Sequence, residues 1–184
     1  GCIDDEAEVQ NCRITAGCIP ILRDGTILLV GSKAGDAFVL PKGGWEHDES
    51  LPRSALREAA EEAGVVGILG PPLPEITFET KKAAIRRQNS LKVSECELDC
   101  KTIKHRDSAD ADANLHTHNC MTLFPLYVQE IRSEWPEEHR LRCAAPIDEA
   151  IKLLEHRPEF ASLLRVVQER NLHQIEIQQE DGGN

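Results

Sequence analysis

Two apolar runs, Ile14 to Leu22 (ITAGCIPIL) and Thr26 to Val30 (TILLV), flank the turn residues Arg23-Asp24-Gly25. Strand-length apolar segments joined through Asp-Gly predict a β-hairpin. Phe38 to Leu40 predicts another short strand, which leads into Gly43-Gly44. The spacing then changes to that of a helix. Leu56, Ala59, Ala60 and Ala63 make an apolar face expected to pack on a sheet. Glu58, Glu61 and Glu62 fall within an arc of roughly 100° and are expected to converge on one patch of solvent. Ser50 offers an N-cap, Pro52 suits the first turn, and Gly64 can end the helix in a left-handed conformation.

From Gly67 to Pro74, Gly and Pro are expected to interrupt regular structure before Ile76 to Thr80 resumes as a strand. Lys81 to Asn114 mixes charge with weak periodicity, ends in DSADADAN, and reads as an insertion with a mobile part. Cys120 to Ile131 predicts a long strand and Asp148 to His156 an amphipathic helix; Pro158 breaks it, and Phe160 to Arg170 predicts a second helix. An acidic start (residues 1–12) and the closing QQEDGGN (tail 173–184) are expected to be flexible. Elements in this order predict one α/β domain over residues 13–172, a sandwich with a mixed sheet between helices.

Composition narrows the partners. The chain has 184 residues, 40% of them hydrophobic, enough for one domain with its own core. A net charge of -11 argues against general nucleic-acid or acidic-membrane binding, and a monomer is expected. Lys81, Lys82, Arg86, Arg87 and Lys92 nevertheless form a local basic run, either a solvated face or a patch for a compact polyanion. No stretch approaches the roughly 18 apolar residues of a spanning helix. The N-terminus is acidic where a signal peptide would be basic and then apolar, so a cytoplasmic, also nuclear, location is expected, compatible with a targeting segment already removed. Seven cysteines, an odd number, are expected to be reduced thiols. A competing reading takes Cys96, Cys100, His116, His118 and Cys120 as zinc ligands, although their spacing matches no common finger.

The candidate chemistry lies in GGWEHDESLPRSALREAAEEAGV. A bare E-x-x-E-E is ordinarily a solvated helix face. Here it sits inside G-x5-E-x7-R-E-U-x-E-E-x-G-U (U aliphatic), matched by Gly43, Glu49, Arg57, Glu58, Ala59, Glu61, Glu62, Gly64 and Val65. This resembles a Nudix box, with Ala59 smaller than the usual aliphatic residue. The resemblance implies an α/β/α sandwich and a hydrolase of phosphoanhydride bonds. It implies that Glu58, Glu62 and the backbone carbonyl near Gly43 hold Mg²⁺, with Mn²⁺ as an alternative, and that Glu61 is the general base, roles interchangeable on sequence alone. Arg57 has three carboxylates as near partners and is expected to orient one of them; Glu49 is expected to stand behind the ligands.

A narrower resemblance rests on Trp135-Pro-Glu-Glu-His-Arg-Leu-Arg142, on Ile147 to Pro158, on Arg13-Ile-Thr-Ala-Gly-Cys and on Leu40-Pro-Lys-Gly-Gly44. These segments are similar to the fungal-type diphosphoinositol polyphosphate phosphohydrolases, which also cleave diadenosine polyphosphates. That resemblance implies phosphate contacts from Arg13, Ser32, Lys33, Lys42, Gly44, Arg140 and Arg157. The insertion at 81–114 departs from it. Two alternatives differ in class: an ADP-ribose or NADH pyrophosphatase, which needs an aromatic base-stacking site, and a non-catalytic binding module on the same fold.

Overall fold

A computed structural model describes residues 12–80, 83–86, 88 and 116–174. The chain divides into two compact units, Ile14–Ile76 with Met121–Asn184 and Gly1–Arg13 with Thr77–Cys120.

In the larger unit the predicted hairpin is present as β1 (Cys12–Ile21) and β2 (Ile27–Gly31), paired antiparallel. Its turn closes through Gly25, at φ 82°, while the Asp24 carboxylate accepts from the Thr26 amide and hydroxyl. β3 (Phe38–Val39) pairs with β2, and β4 (Lys42–Gly44) with β1, setting Ala16 opposite Gly43. β5 (Val65–Leu69) lies along β7 (His118–Ile131), and β8 (Arg142–Ala145) along β2. The sheet runs β3-β2-β1-β7-β5. Strand β5 corrects one expectation: Gly67 lies inside a strand, because the partner strand takes up the irregularity as a register shift between Val66 and Gly67.

Both faces of the sheet are covered. Ala16, Cys18, Leu28, Val30, Phe124, Leu126 and Val128 pack with Ala55, Ala59 and Ala63 of the glutamate helix. The alternate residues Ile19, Ile21, Ile27 and Leu29 are equally buried. Helix α2 (Ile147–Leu153) packs on β2 and on α3 (Pro158–Glu169), whose Phe160, Leu163, Leu164 and Val167 are buried. Pro158 opens α3, where its missing N–H costs nothing. Strand side chains two apart share a face, so burial on both sides makes the strands nearly continuous apolar runs. This is the expected α/β sandwich.

In the smaller unit, β6 (Ile76–Glu79) pairs with the start of β7, and residues 83–86 are helical. Here the thiol expectation fails. Cys12 and Cys120 form a disulfide across 108 residues of sequence, with Cα atoms 5.9 Å apart. Neighbouring strands bring the two together, a proximity invisible to spacing. Cys18 and Cys143 are free. Cys120 is thereby lost to any zinc site; Cys96 and Cys100, and most of the 81–114 insertion with Lys81, Lys82, Arg87 and Lys92 of its basic run, lie outside the described residues, while Arg86 is exposed on the helical segment 83–86. Among the described residues no helix is long and apolar enough to cross a membrane.

Candidate active site

The glutamate helix starts where sequence places it. Ser50 caps α1 (Leu51–Glu58), its hydroxyl accepting from the Arg53 amide, with Pro52 in the first turn. After Glu58 the backbone widens into a π turn, Ala59–Ala63, and Gly64 stops it in the left-handed region at φ 63°. Single π turns are rare and concentrate at functional sites. The inward face is Ala55, Ala59 and Ala63, and Leu56 is exposed, so the expected apolar face is rotated by one residue at that end. Small residues allow the helix to lie close on the sheet, and that closeness decides the fate of the carboxylates.

Glu58 and Glu62 are buried, 8% and 7% exposed, and do not form the expected patch of solvent. Glu58 lies against Gly43 of β4: a Cβ added there would sit 2.0 Å from Glu58 Oε1, so only glycine admits the carboxylate. Glu62 Oε2 accepts the Lys42 amide at 2.9 Å. Glu61 stays half-exposed. Arg57 binds the group together. Its Nε and Nη2 donate to the two oxygens of Glu49 (3.2 and 2.7 Å), Nη1 donates to Glu58 Oε1 (2.7 Å), and Nη2 donates to the Gly44 carbonyl (3.3 Å). Glu61 Oε2 is 3.4 Å from Nη1.

These contacts split the carboxylates electrostatically. The fork of Arg57 holds Glu49 down to about 2. Burial pushes Glu58 and Glu62 above the usual carboxylate value, opposed by Arg57 at Glu58 and by the Lys42 amide and Arg140 at Glu62. Arg57 itself is held more firmly charged by Glu49. Two buried carboxylates that resist ionisation have a deficit of positive charge, which a dication would supply.

Not every expected phosphate contact faces solvent. Arg140 is buried, with Nη1 3.2 Å from Glu62 Oε2 and Nε 2.9 Å from Glu137 Oε2. Lys33 is exposed and 3.8 Å from Glu137. Ser32 donates to Asp36. Arg157, before α3, pairs with Glu159 and stacks 4.7 Å above Phe160. Arg13 is exposed on β1, in the smaller unit. Sequence reasoning missed Glu137, whose amide donates to the Glu61 carbonyl at 3.1 Å. The available signal was its i,i+3 spacing from Arg140.

Residues 12–166 match the NUDIX domain. The chain belongs to that family. It is 32% identical over 158 residues to Nudix hydrolase 16, mitochondrial, of Arabidopsis thaliana, covering 78% of this chain and 73% of that protein. It is 30% identical over 188 residues to Nudix hydrolase 18, mitochondrial, of the same plant, covering 90% and 89%. Among solved structures a Caenorhabditis elegans Ap4A hydrolase superposes with TM-score 0.58 at 16% identity, over 87% of this chain and 98% of that one, which supports the fold. As a Nudix protein the chain is a hydrolase of phosphoanhydride bonds. The cytoplasmic expectation is overturned: both plant relatives are mitochondrial by name, and an acidic N-terminus does not outweigh them.

Nudix hydrolases generally use divalent metals. Among the described residues no three Asp, Glu, His or Cys side chains close into a cage. The donors present fit the open kind of site instead, in which one or two carboxylates, waters and substrate phosphates share Mg²⁺. Glu58 Oε1 and Glu62 Oε2 are held by Arg57 and Lys42, while Glu58 Oε2 and Glu62 Oε1 take no part in those bonds.

Proposed function

We propose that this Nudix chain is a Mg²⁺-dependent pyrophosphohydrolase of compact polyphosphorylated molecules, diphosphoinositol polyphosphates and diadenosine polyphosphates foremost. The observation that carries the reading is the pair of buried carboxylates Glu58 and Glu62 set against Lys42 and Gly43. Glu58, Glu62 and the Gly43 carbonyl would hold the ion, which when bound neutralises phosphate oxygens and acidifies a water. Arg57, anchored by Glu49, keeps Glu58 in one orientation. Glu61, half-exposed, takes the proton of the attacking water.

A polyanionic substrate is supported by the exposed cation of Lys33 and by the absence of any fully exposed aromatic ring among the described Phe, Tyr and Trp residues. Each of the seven aromatic residues is buried or half-buried. Trp45 and His47 favour a second reading, a dinucleotide substrate such as ADP-ribose, because they meet edge-to-face at 4.9 Å just after Gly44.

The test is phosphate or nucleotide release by the purified protein with Mg²⁺, offered an inositol pyrophosphate, diadenosine hexaphosphate and ADP-ribose in parallel. Preference for the first two supports the proposal. Preference for ADP-ribose moves the chain to the dinucleotide class, and no turnover leaves a binding module.

A further inference from the structure

We propose that Arg140 is a positioning residue for the metal-ligating Glu62, and that the segment from Arg132 to Leu141 is the clamp that holds the π turn in register. The inference rests on the functional reading above for the role of Glu62, and it removes Arg140 from the set of substrate contacts.

Three observations carry it. The guanidinium is buried between two carboxylates, its side chain only 4% exposed, with Nε and Nη1 directed at those carboxylates and away from solvent. Its contacts are ion pairs without hydrogen-bond alignment, since Nε and Nη1 lack a hydrogen-bond partner. The backbone of the same segment is tied to the turn at two further points: the Arg132 amide donates to the Gly64 carbonyl (2.8 Å) and the Glu137 amide to the Glu61 carbonyl (3.1 Å). A π turn leaves carbonyls out of the usual ladder, and here the Glu61 carbonyl is taken from outside the helix. Between those points Trp135 packs on Gly64, and Arg142 covers the indole at 3.9 Å while donating to the Ala63 and Arg132 carbonyls.

The charges along the clamp alternate: exposed Lys33, half-buried Glu137, buried Arg140, buried Glu62. Arg140 spans its two neighbours with different nitrogens, a reach that a planar fork provides and an ammonium does not. It draws Glu62 Oε2 to one side, where the Lys42 amide also binds it. The other oxygen is thereby set for the ion.

The test compares wild type, Arg140→Met, Arg140→Lys and Glu137→Gln. Mn²⁺ binding alone is measured by electron paramagnetic resonance, and kcat and KM separately by phosphate release. Were Arg140 only a nearby positive charge, its removal would relieve repulsion and tighten Mn²⁺ binding. Positioning predicts the opposite: Arg140→Met weakens Mn²⁺ binding and lowers kcat by roughly 10- to 100-fold, the range for residues that orient a ligand, with KM for substrate nearly unchanged. Arg140→Lys recovers part of the loss, and Glu137→Gln, which removes no volume, gives a smaller change in the same direction should Arg140→Met not fold. A raised KM at constant kcat, or unchanged or tighter Mn²⁺ binding in the variants, overturns the proposal. Because Mn²⁺ binding is read without substrate, a wild-type protein that binds the ion but hydrolyses nothing disproves the functional reading and leaves this one decided.

Discussion

Glu49, Glu58 and Glu62 belong to one segment, yet their surroundings drive them apart, and each displacement has a consequence in pH. Glu49 is held down to about 2 against an ordinary 4.5. A depressed carboxylate contributes stability that is complete above its unfolded value and is lost as pH falls toward its folded one. Wild type is therefore expected to lose thermal midpoint between pH 4.5 and 2 more steeply than Glu49→Gln, and parallel melting curves would refute this. Glu58 and Glu62 carry the opposite sign. Raised by burial, they destabilise the metal-free chain above their folded values and cease to do so as pH falls toward 4.5. Glu58→Gln keeps the acceptor for Arg57 and removes a charge that burial disfavours, so its metal-free midpoint at pH 7 is expected to match or exceed that of wild type while turnover falls by at least about 100-fold. Near wild-type turnover would remove Glu58 from the site. At this scale the sequence was informative about residue types and silent about burial, because whether a helix face meets water depends on what lies across from it.

The element that decides the site is the helix ending Ala59–Ala63 and Gly64. Its caps were legible: Ser50, Pro52 and Gly64 stand where local conformational preference puts them. The π turn was not, since nothing in AAEEA separates it from ordinary helix; tertiary bonds from the Glu137 amide and the contact of Trp135 with Gly64 accompany it. Gly64→Ala tests this. The added methyl would meet Trp135 at 2.8 Å in a residue already at φ 63°, so a loss of more than about 1 kcal/mol is expected in chemical denaturation. The displaced clamp should also lower kcat. A variant as stable and as fast as wild type would show that the segment is only resting on the turn.

For the molecule as a whole, the disulfide between Cys12 and Cys120 is the feature with the largest expected effect on stability. Closing a loop of about 100 residues contributes about 4.7 kcal/mol in the chain-entropy account. Reducing agent is expected to lower the thermal midpoint of wild type and to leave Cys120→Ser, already low, unmoved; a midpoint indifferent to reductant would contradict the bond. The β1–β2 hairpin, the helix caps and the acidic box were determined by sequence alone, because periodicity, turn chemistry and capping act over a few residues. Sheet pairing was decided only in three dimensions. Strand pairing brought Cys12 to Cys120, and packing of the helix on the sheet set Glu58 against Gly43 and made Arg140 the buried partner of Glu62, because each of these contacts joins separate elements across one low-dielectric space.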